Sequence, residues 1–484
     1  MIKKQSALSY LSFPPRIIVR DKLQRESSSL TSSLSGLTGQ SRIKVLDSPI
    51  KSGNDRKKLR RNDYNFTVFN SSEAGFSLVE LMITIVVFLL VIAGASQVLT
   101  SLITQFKQQG KITETNIEGA IGLDMMRRDI ESAGYGLPWV IPATVVYNEA
   151  GAEAVAFNDC SAAAPCNPPK AIVSGNNMTT YVSPNNIFNG SDYLAIKAAN
   201  VATSAAAQRW THLRTGNVKR TWGTTADDFV NTDRVIVISP GTGGADSQTL
   251  VVSAASAWWT SYTAGTAPLV GTASFAPTDT TETRVIYGID PDTNLRMPFN
   301  RTDYYIWRDT TNPATDAVPD RCAFGTGILR KTVIAQLDGD RTPFPLLDCV
   351  ADMQVGFGVD TTATTDGVTN CYVNNLADAI TVDAANIRNR VREVRVYILA
   401  HEGQYDRDFT FTIATPLLPS SIRVGEPSAS LPTGTGICSA DTVLGRNFNF
   451  NDPNGDGNTS DAITNWQNYR WKVYTLVVKP NNLR

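Results

Sequence analysis

The sequence predicts an α+β fold: one long N-terminal helix laid on antiparallel β-sheet in an enlarged, β-rich head. Three observations predict it. From Leu81 to Phe106 no side chain is formally charged, a run long enough to cross a bilayer as a helix at about 1.5 Å per residue. Beyond Lys107, apolar residues recur at helical spacing among charged ones, as in a helix with one wet face. After Pro138 that pattern stops. Short runs rich in β-branched and aromatic residues then alternate with Ala/Thr/Ser/Gly/Asn-rich stretches.

Residues 1–50 are rich in Ser, Leu and basic side chains and show no apolar periodicity, and residues 1–75 as a whole are set apart from the folded part. No methionine lies between Met1 and Met82; translation starting at a non-AUG codon near Leu59 or Val68 would shorten this leader. The cluster Arg56, Lys57, Lys58, Arg60 and Arg61 precedes the apolar run. The positive-inside bias therefore holds 1–75 in the cytoplasm and exports the remainder of the chain. The chain divides into a leader (1–75), a membrane helix (76–106) and an exported head (107–484) that opens with the amphipathic half of the same helix. At the junction stands Gly75-Phe76-Ser77-Leu78-Val79-Glu80. Glu80 is a single carboxylate at the lip of an uncharged segment, where an ionisable group is costly and marks a function.

In the outer half of the helix, Ile112, Ile117, Ile121, Met125 and Ile130, with Ala120, Leu123 and Met126, make the stripe expected to face a sheet. Gly134, Gly136 and Pro138 end the helix. Strands are expected at 193–196, 234–239, 249–252, 284–289, 304–307, 333–337, 353–359, 392–399, 409–413 and 471–478. Val394, Val396 and Ile398 alternate with Glu393, Arg395 and Tyr397, which predicts a strand with one buried and one wet face.

Removing the leader leaves 30 basic against 39 acidic residues, a formal charge near −9. An acidic exported part argues against a nucleic-acid partner, which selects for a basic face. All six cysteines, Cys160, Cys166, Cys322, Cys349, Cys371 and Cys438, lie in the exported part. An even count in an oxidising compartment reads as disulfides. Short loops close most easily, which favours Cys160–Cys166, Cys322–Cys349 and Cys371–Cys438. A zinc site would lack Cys-x-x-Cys spacing and have only His212 and His401 to draw on.

Gly75 to Glu80, running into the apolar segment, resembles the signal of type IV prepilins. The resemblance implies cleavage after Gly75 by a prepilin peptidase, N-methylation of Phe76 as the new first residue, and pairing of Glu80 with a neighbouring subunit's amine during assembly. Many major pilins carry a proline soon after the position of Gly94; here Gln97 stands there. Looser similarity to PilW-like minor pilins lies in Met126–Gly136, Pro345–Asp360, Val391–Ala400 and Tyr469–Leu483. It implies a minor pilin that takes part in initiating pilus assembly, at the pilus tip. The implied partners are the peptidase, other minor pilins, the major pilin and the inner-membrane assembly platform. The head would lie in the periplasm and later at the cell surface. A minor pseudopilin of type II secretion shares the leader and helix. From another class, the head could be an adhesin or DNA-receptor subunit.

Asp452, Asn454, Asp456 and Asp461 are candidate calcium ligands around a glycine turn, although Ile463 stands where a bidentate glutamate would be expected. The same residues favour a turn without metal. Gly241-Thr242-Gly243-Gly244 lies between two expected strands, so it reads as a hairpin rather than a phosphate loop. Trp210, Trp222, Trp258 and Trp259 serve either a binding surface or the core. No acid–base or nucleophilic constellation can be named, so the chain reads as a non-enzyme.

Overall fold

The computed structural model describes residues 75–483 apart from 152–153, 161–165, 179–186, 188–189, 215–217, 220–221, 241–247, 254–256, 264–274, 278, 309–317, 363, 377–382, 414–419, 428–442, 458 and 460–461. Helix α1 runs unbroken through Leu78–Ser132. Gly134 and Gly136 follow with φ of +84° and +69°, a left-handed backbone that glycine adopts without strain and that stops a helix.

The first eight strands are β1 (Ile172–Gly175), β2 (Tyr193–Ala198), β3 (Trp210–Arg214), β4 (Val218–Lys219), β5 (Asp233–Ser239), β6 (Thr249–Leu250), β7 (Thr260–Ser261) and β8 (Thr283–Pro291). Next come β9 (Asn300–Trp307), β10 (Gly327–Ile334), β11 (Arg341–Val359), β12 (Cys371–Val373), the short helix α2 (Ala384–Arg390) and β13 (Val391–Glu402). The last are β14 (Ser421–Glu426), β15 (Leu444–Asn449) and β16 (Arg470–Val478). The large sheet has the order β1-β2-β9-β10-β11-β13-β16, with β12 also on β11, and every pairing is antiparallel. A second sheet runs β4-β3-β8-β5-β6 with β7 on β5, and β14-β15 form a hairpin.

The main core lies between α1 and the large sheet. Met126 and Ile130 of the helix join Ile196, Tyr304, Leu329, Val355, Val396 and Ile398, and Ile236 and Ile238 of the second sheet complete it. A separate cluster on the other side of β13 holds Tyr397 and Leu399 against Val424, Leu444, Phe448, Phe450, Trp466 and Trp471.

Three expectations need correction. The helix buries only part of its expected apolar stripe: Met126 and Ile130 enter the core, but Ile117, Ile121 and Met125 are 56%, 63% and 40% exposed, and Ala120 is exposed too. The buried face is Thr115, Gly119, Gly122, Met126, Asp129 and Ile130. Small residues win because they let the helix axis approach the sheet closely. A Cβ at Gly122 would sit 2.4 Å from the backbone oxygen of Leu346. Second, β13 has no wet face: the β14–β15 hairpin covers Tyr397 and Leu399, and Glu393 is buried. Third, 409–413 forms no strand; Phe411 donates its backbone N–H to Gln467 and packs against the second cluster. In addition, β10 ends at Ile334, where Ala335 begins a turn closed by Gly339.

Disulfides join Cys160 to Cys166 and Cys322 to Cys349. Cys371 is also disulfide-bonded; Cys438 lies outside the described residues, as do Gly241 to Gly244. The strands flanking that glycine stretch pair antiparallel, Ile238 opposite Leu250, as a hairpin requires.

Candidate functional site

The residues singled out at the N-terminus lie where a helix begins. Gly75 and Phe76 precede α1 in open space, Phe76 being 84% exposed. The Ser77 hydroxyl accepts the backbone N–H of Val79 at 3.3 Å, answering one donor of the first turn. Glu80 is exposed in that turn and forms no ion pair among the described residues. From Leu81 to Phe106 every residue is exposed, the large apolar ones included. This is the one described helix long and apolar enough to cross a membrane. Thr84, Thr100 and Thr104 return their hydroxyls to backbone carbonyls three or four residues back, which satisfies polar side chains without water.

Past the membrane-length segment the same helix is clamped to the head on one side only. Arg321 bridges Glu118 of α1 at 3.0 Å and Asp348 of β11 at 2.8 Å. The neighbours of Arg321 and Asp348 in sequence, Cys322 and Cys349, are the two ends of a disulfide, so the cross-link holds the clamp in place. Lower down, Asp129 accepts the Tyr304 hydroxyl at 2.6 Å and pairs with Lys331 at 2.5 Å. Burial raises the Asp129 carboxyl above its usual range, and Lys331 opposes the rise. Opposite this clamped face, Ile117, Ile121 and Met125 continue the exposed apolar surface of the membrane-length segment into the head-bearing half.

The candidate calcium loop is only partly in view. Asp452 spends both carboxylate oxygens on backbone N–H groups, of Gly455 at 2.9 Å and Gly457 at 3.1 Å. Asn454 donates to Asp456 at 3.0 Å, and Asp461 lies outside the described residues. These bonds close the turn from within. Cys322, Cys349 and His401 also meet at ligand distance, but the two sulfurs are joined to each other. His401 is fully buried, accepts the Ala323 N–H through Nε2 at 2.9 Å, and packs on Tyr469 and Trp471. Burial pushes its pKa down to about 3, so it is neutral. Of the tryptophans, Trp258 is buried, Trp222 packs on Trp210 and donates its indole N–H to the Trp210 carbonyl, and Trp259 lies under Arg234.

One cluster is not foreseen by the sequence reading. Lys197 and Arg301, each with no exposed surface, bind Glu149, Asp159 and Asp303 in one buried network. It ties the 149–159 segment to β2 and β9. Charged residues inside β-runs read as surface positions, and only the tertiary fold shows that they are paired.

Two family models match the chain. Residues 303–482 match the family described as Type IV Pilus-assembly protein W. Residues 70–96 match the prokaryotic N-terminal methylation motif. The first match opens in β9 and closes just past β16; the second covers the segment around Gly75 and the first turns of α1. No curated protein and no solved structure matches the chain.

Proposed function

We infer, from the premise that this chain is a PilW-like type IV minor pilin involved in pilus assembly, that α1 is first a membrane anchor and then an assembly surface. A prepilin peptidase cuts after Gly75 and methylates Phe76. The subunit then waits in the inner membrane with its head in the periplasm, and enters the pilus at or near the tip alongside other minor pilins and the major pilin. Its role is structural, without a catalytic step of its own.

The observation that carries this reading is the exposed apolar surface of α1, with Glu80 as its only ionisable group as far as Phe106. Each large apolar side chain left in water would cost about 1.5–3 kcal/mol relative to burial, so the helix needs lipid or neighbouring helices around it. A carboxylate moved into those surroundings is costly unless a cation meets it. A methylated Phe76 amine on an adjacent subunit would be such a cation. The glycine at the cut site supports the processing step, because a residue without a side chain lets a cleft close tightly on the scissile bond. A secretion pseudopilin would share the leader and helix; the PilW match over 303–482 favours the pilus.

The test is Glu80→Val. It should be processed to the same size as the native chain yet be depleted from sheared pili and accumulate in the membrane. Incorporation at the native level would remove the pairing role of Glu80.

A further inference from the structure

A groove of about 580 Å3 opens on the head beside the end of α1, within the roughly 300–1,000 Å3 typical of ligand sites. Four segments wall it, residues 139–140, 158–159, 167–170 and 383–389, and three of them are anchored. Trp139 and Val140 both donate their backbone N–H groups to Gln248, just before β6. Asn158 and Asp159 are anchored from behind by the buried network: Arg301 donates to Asn158 at 2.6 Å and Lys197 to Asp159 at 2.6 Å. The third wall is α2, whose Ile387 is buried in the main core and whose Asp383 accepts the backbone N–H of Asn386 at 2.7 Å.

The charges along the groove cancel and are answered within the protein. Asp159 and Asp383 stand against Lys170 and Arg388. Asp159 also accepts the Lys170 backbone N–H, with the Lys170 ammonium 3.7 Å away, and the Arg388 guanidinium lies 4.1 Å from the centre of the Trp139 ring. With two charges of each sign, the groove carries no net charge that would select an anion or a cation. The remaining polar groups are neutral. Asn167 and Asn389 line the groove; their backbone carbonyls accept hydrogen bonds, while their side-chain amides make none among the described residues. A carboxamide offers two donors and an acceptor without charge, which complements a pair of hydroxyl groups. Trp139, half-buried in the wall, adds an apolar surface with a polar edge.

We propose that this groove binds a neutral saccharide, with Asn167 and Asn389 holding its hydroxyls and the part of Trp139 left exposed beside Arg388 touching the apolar side of a sugar ring. Because Trp139, Asp159 and α2 are anchored before any ligand arrives, little ordering of these walls opposes binding. The site is independent of pilus assembly, so its failure would leave the role of α1 standing.

The experiment uses the full-length chain in a zwitterionic detergent that carries no sugar headgroup, applied to an array of neutral, sialylated and sulfated oligosaccharides. A neutral di- or trisaccharide should bind, and calorimetry with that sugar should give about three- to tenfold weaker binding for Asn167→Ala and for Asn389→Ala, the loss expected of one neutral hydrogen bond each. Both are surface changes, so the urea midpoint should stay at the native value. The proposal is overturned if no neutral oligosaccharide binds, if only charged ones do, or if the double variant binds as tightly as the native chain.

Discussion

Gly122→Val puts the close approach of α1 to the sheet under direct strain. An added Cβ at Gly122 would lie 2.4 Å from the Leu346 carbonyl oxygen and 2.9 Å from its carbon, about 1 Å inside an ordinary carbon–oxygen contact. The obstacle is β11 backbone, which cannot rotate aside. Glycine to valine in a helix interior by itself gains only a few tenths of a kcal/mol, whereas overpacking of this kind costs about 1–3 kcal/mol. The net loss should be about 1–3 kcal/mol. The control is Gly110→Val on the same helix, where a Cβ meets nothing within 4 Å and stability should be unchanged or slightly higher. Urea unfolding of the detergent-solubilised chain, followed by tryptophan fluorescence, reads the difference, because all eight tryptophans lie beyond α1. A Gly122→Val midpoint equal to that of Gly110→Val would refute the assignment of the Thr115–Gly119–Gly122–Met126 face as the buried one.

Three further outcomes are expected of particular groups. Replacing Cys322 and Cys349 together by alanine frees a loop with a sequence separation of 27, and should cost about 3.5 kcal/mol by the chain-entropy relation; a urea midpoint unchanged from native would contradict it. His401 is held neutral by burial down to about pH 3, while the unfolded chain takes up a proton near its ordinary pKa of about 6.5. Its contribution to stability is thus present above pH 6.5 and is lost as pH falls toward 3, by up to about 1.4 kcal/mol per pH unit. His401→Gln should flatten the acid limb of the stability profile between pH 6 and 4, and an equally steep limb would show that other groups set it. Asp452 already accepts a turn N–H on each oxygen, so the turn is expected to close without metal and calcium at millimolar concentration to leave the melting temperature where a chelator leaves it; a calcium-dependent rise abolished by Asp456→Ala would show instead that the loop binds the metal.

The helix, its membrane-length segment and the antiparallel strands are legible in the sequence because each has a period that burial imposes. Which face of the helix packs is not. An apolar-periodicity argument weighs Ile117 and Ile121 above Gly119 and Gly122, yet closeness of approach, which only small residues permit, decides the contact with Leu346 and Leu347. Glycines three apart between Thr115 and Met126 are the available signal. The second face of β13 reads as wet because Glu393 and Arg395 are charged; their pairing with each other and with Glu426 under the β14–β15 hairpin depends on a partner more than 30 residues away in sequence. Lys197 and Arg301 are invisible for the same reason. Of the candidate site, the run from Gly75 to Glu80 is readable residue by residue because it is local, whereas the groove at Trp139, Asn167 and Asn389 draws on three distant segments.

The most direct measurement is mass spectrometry of the N-terminal peptide of this protein recovered from sheared pili. The account predicts a peptide beginning at N-methylated Phe76. A peptide beginning upstream of Phe76, or the absence of the protein from the pilus fraction while it remains in the membrane, would contradict it.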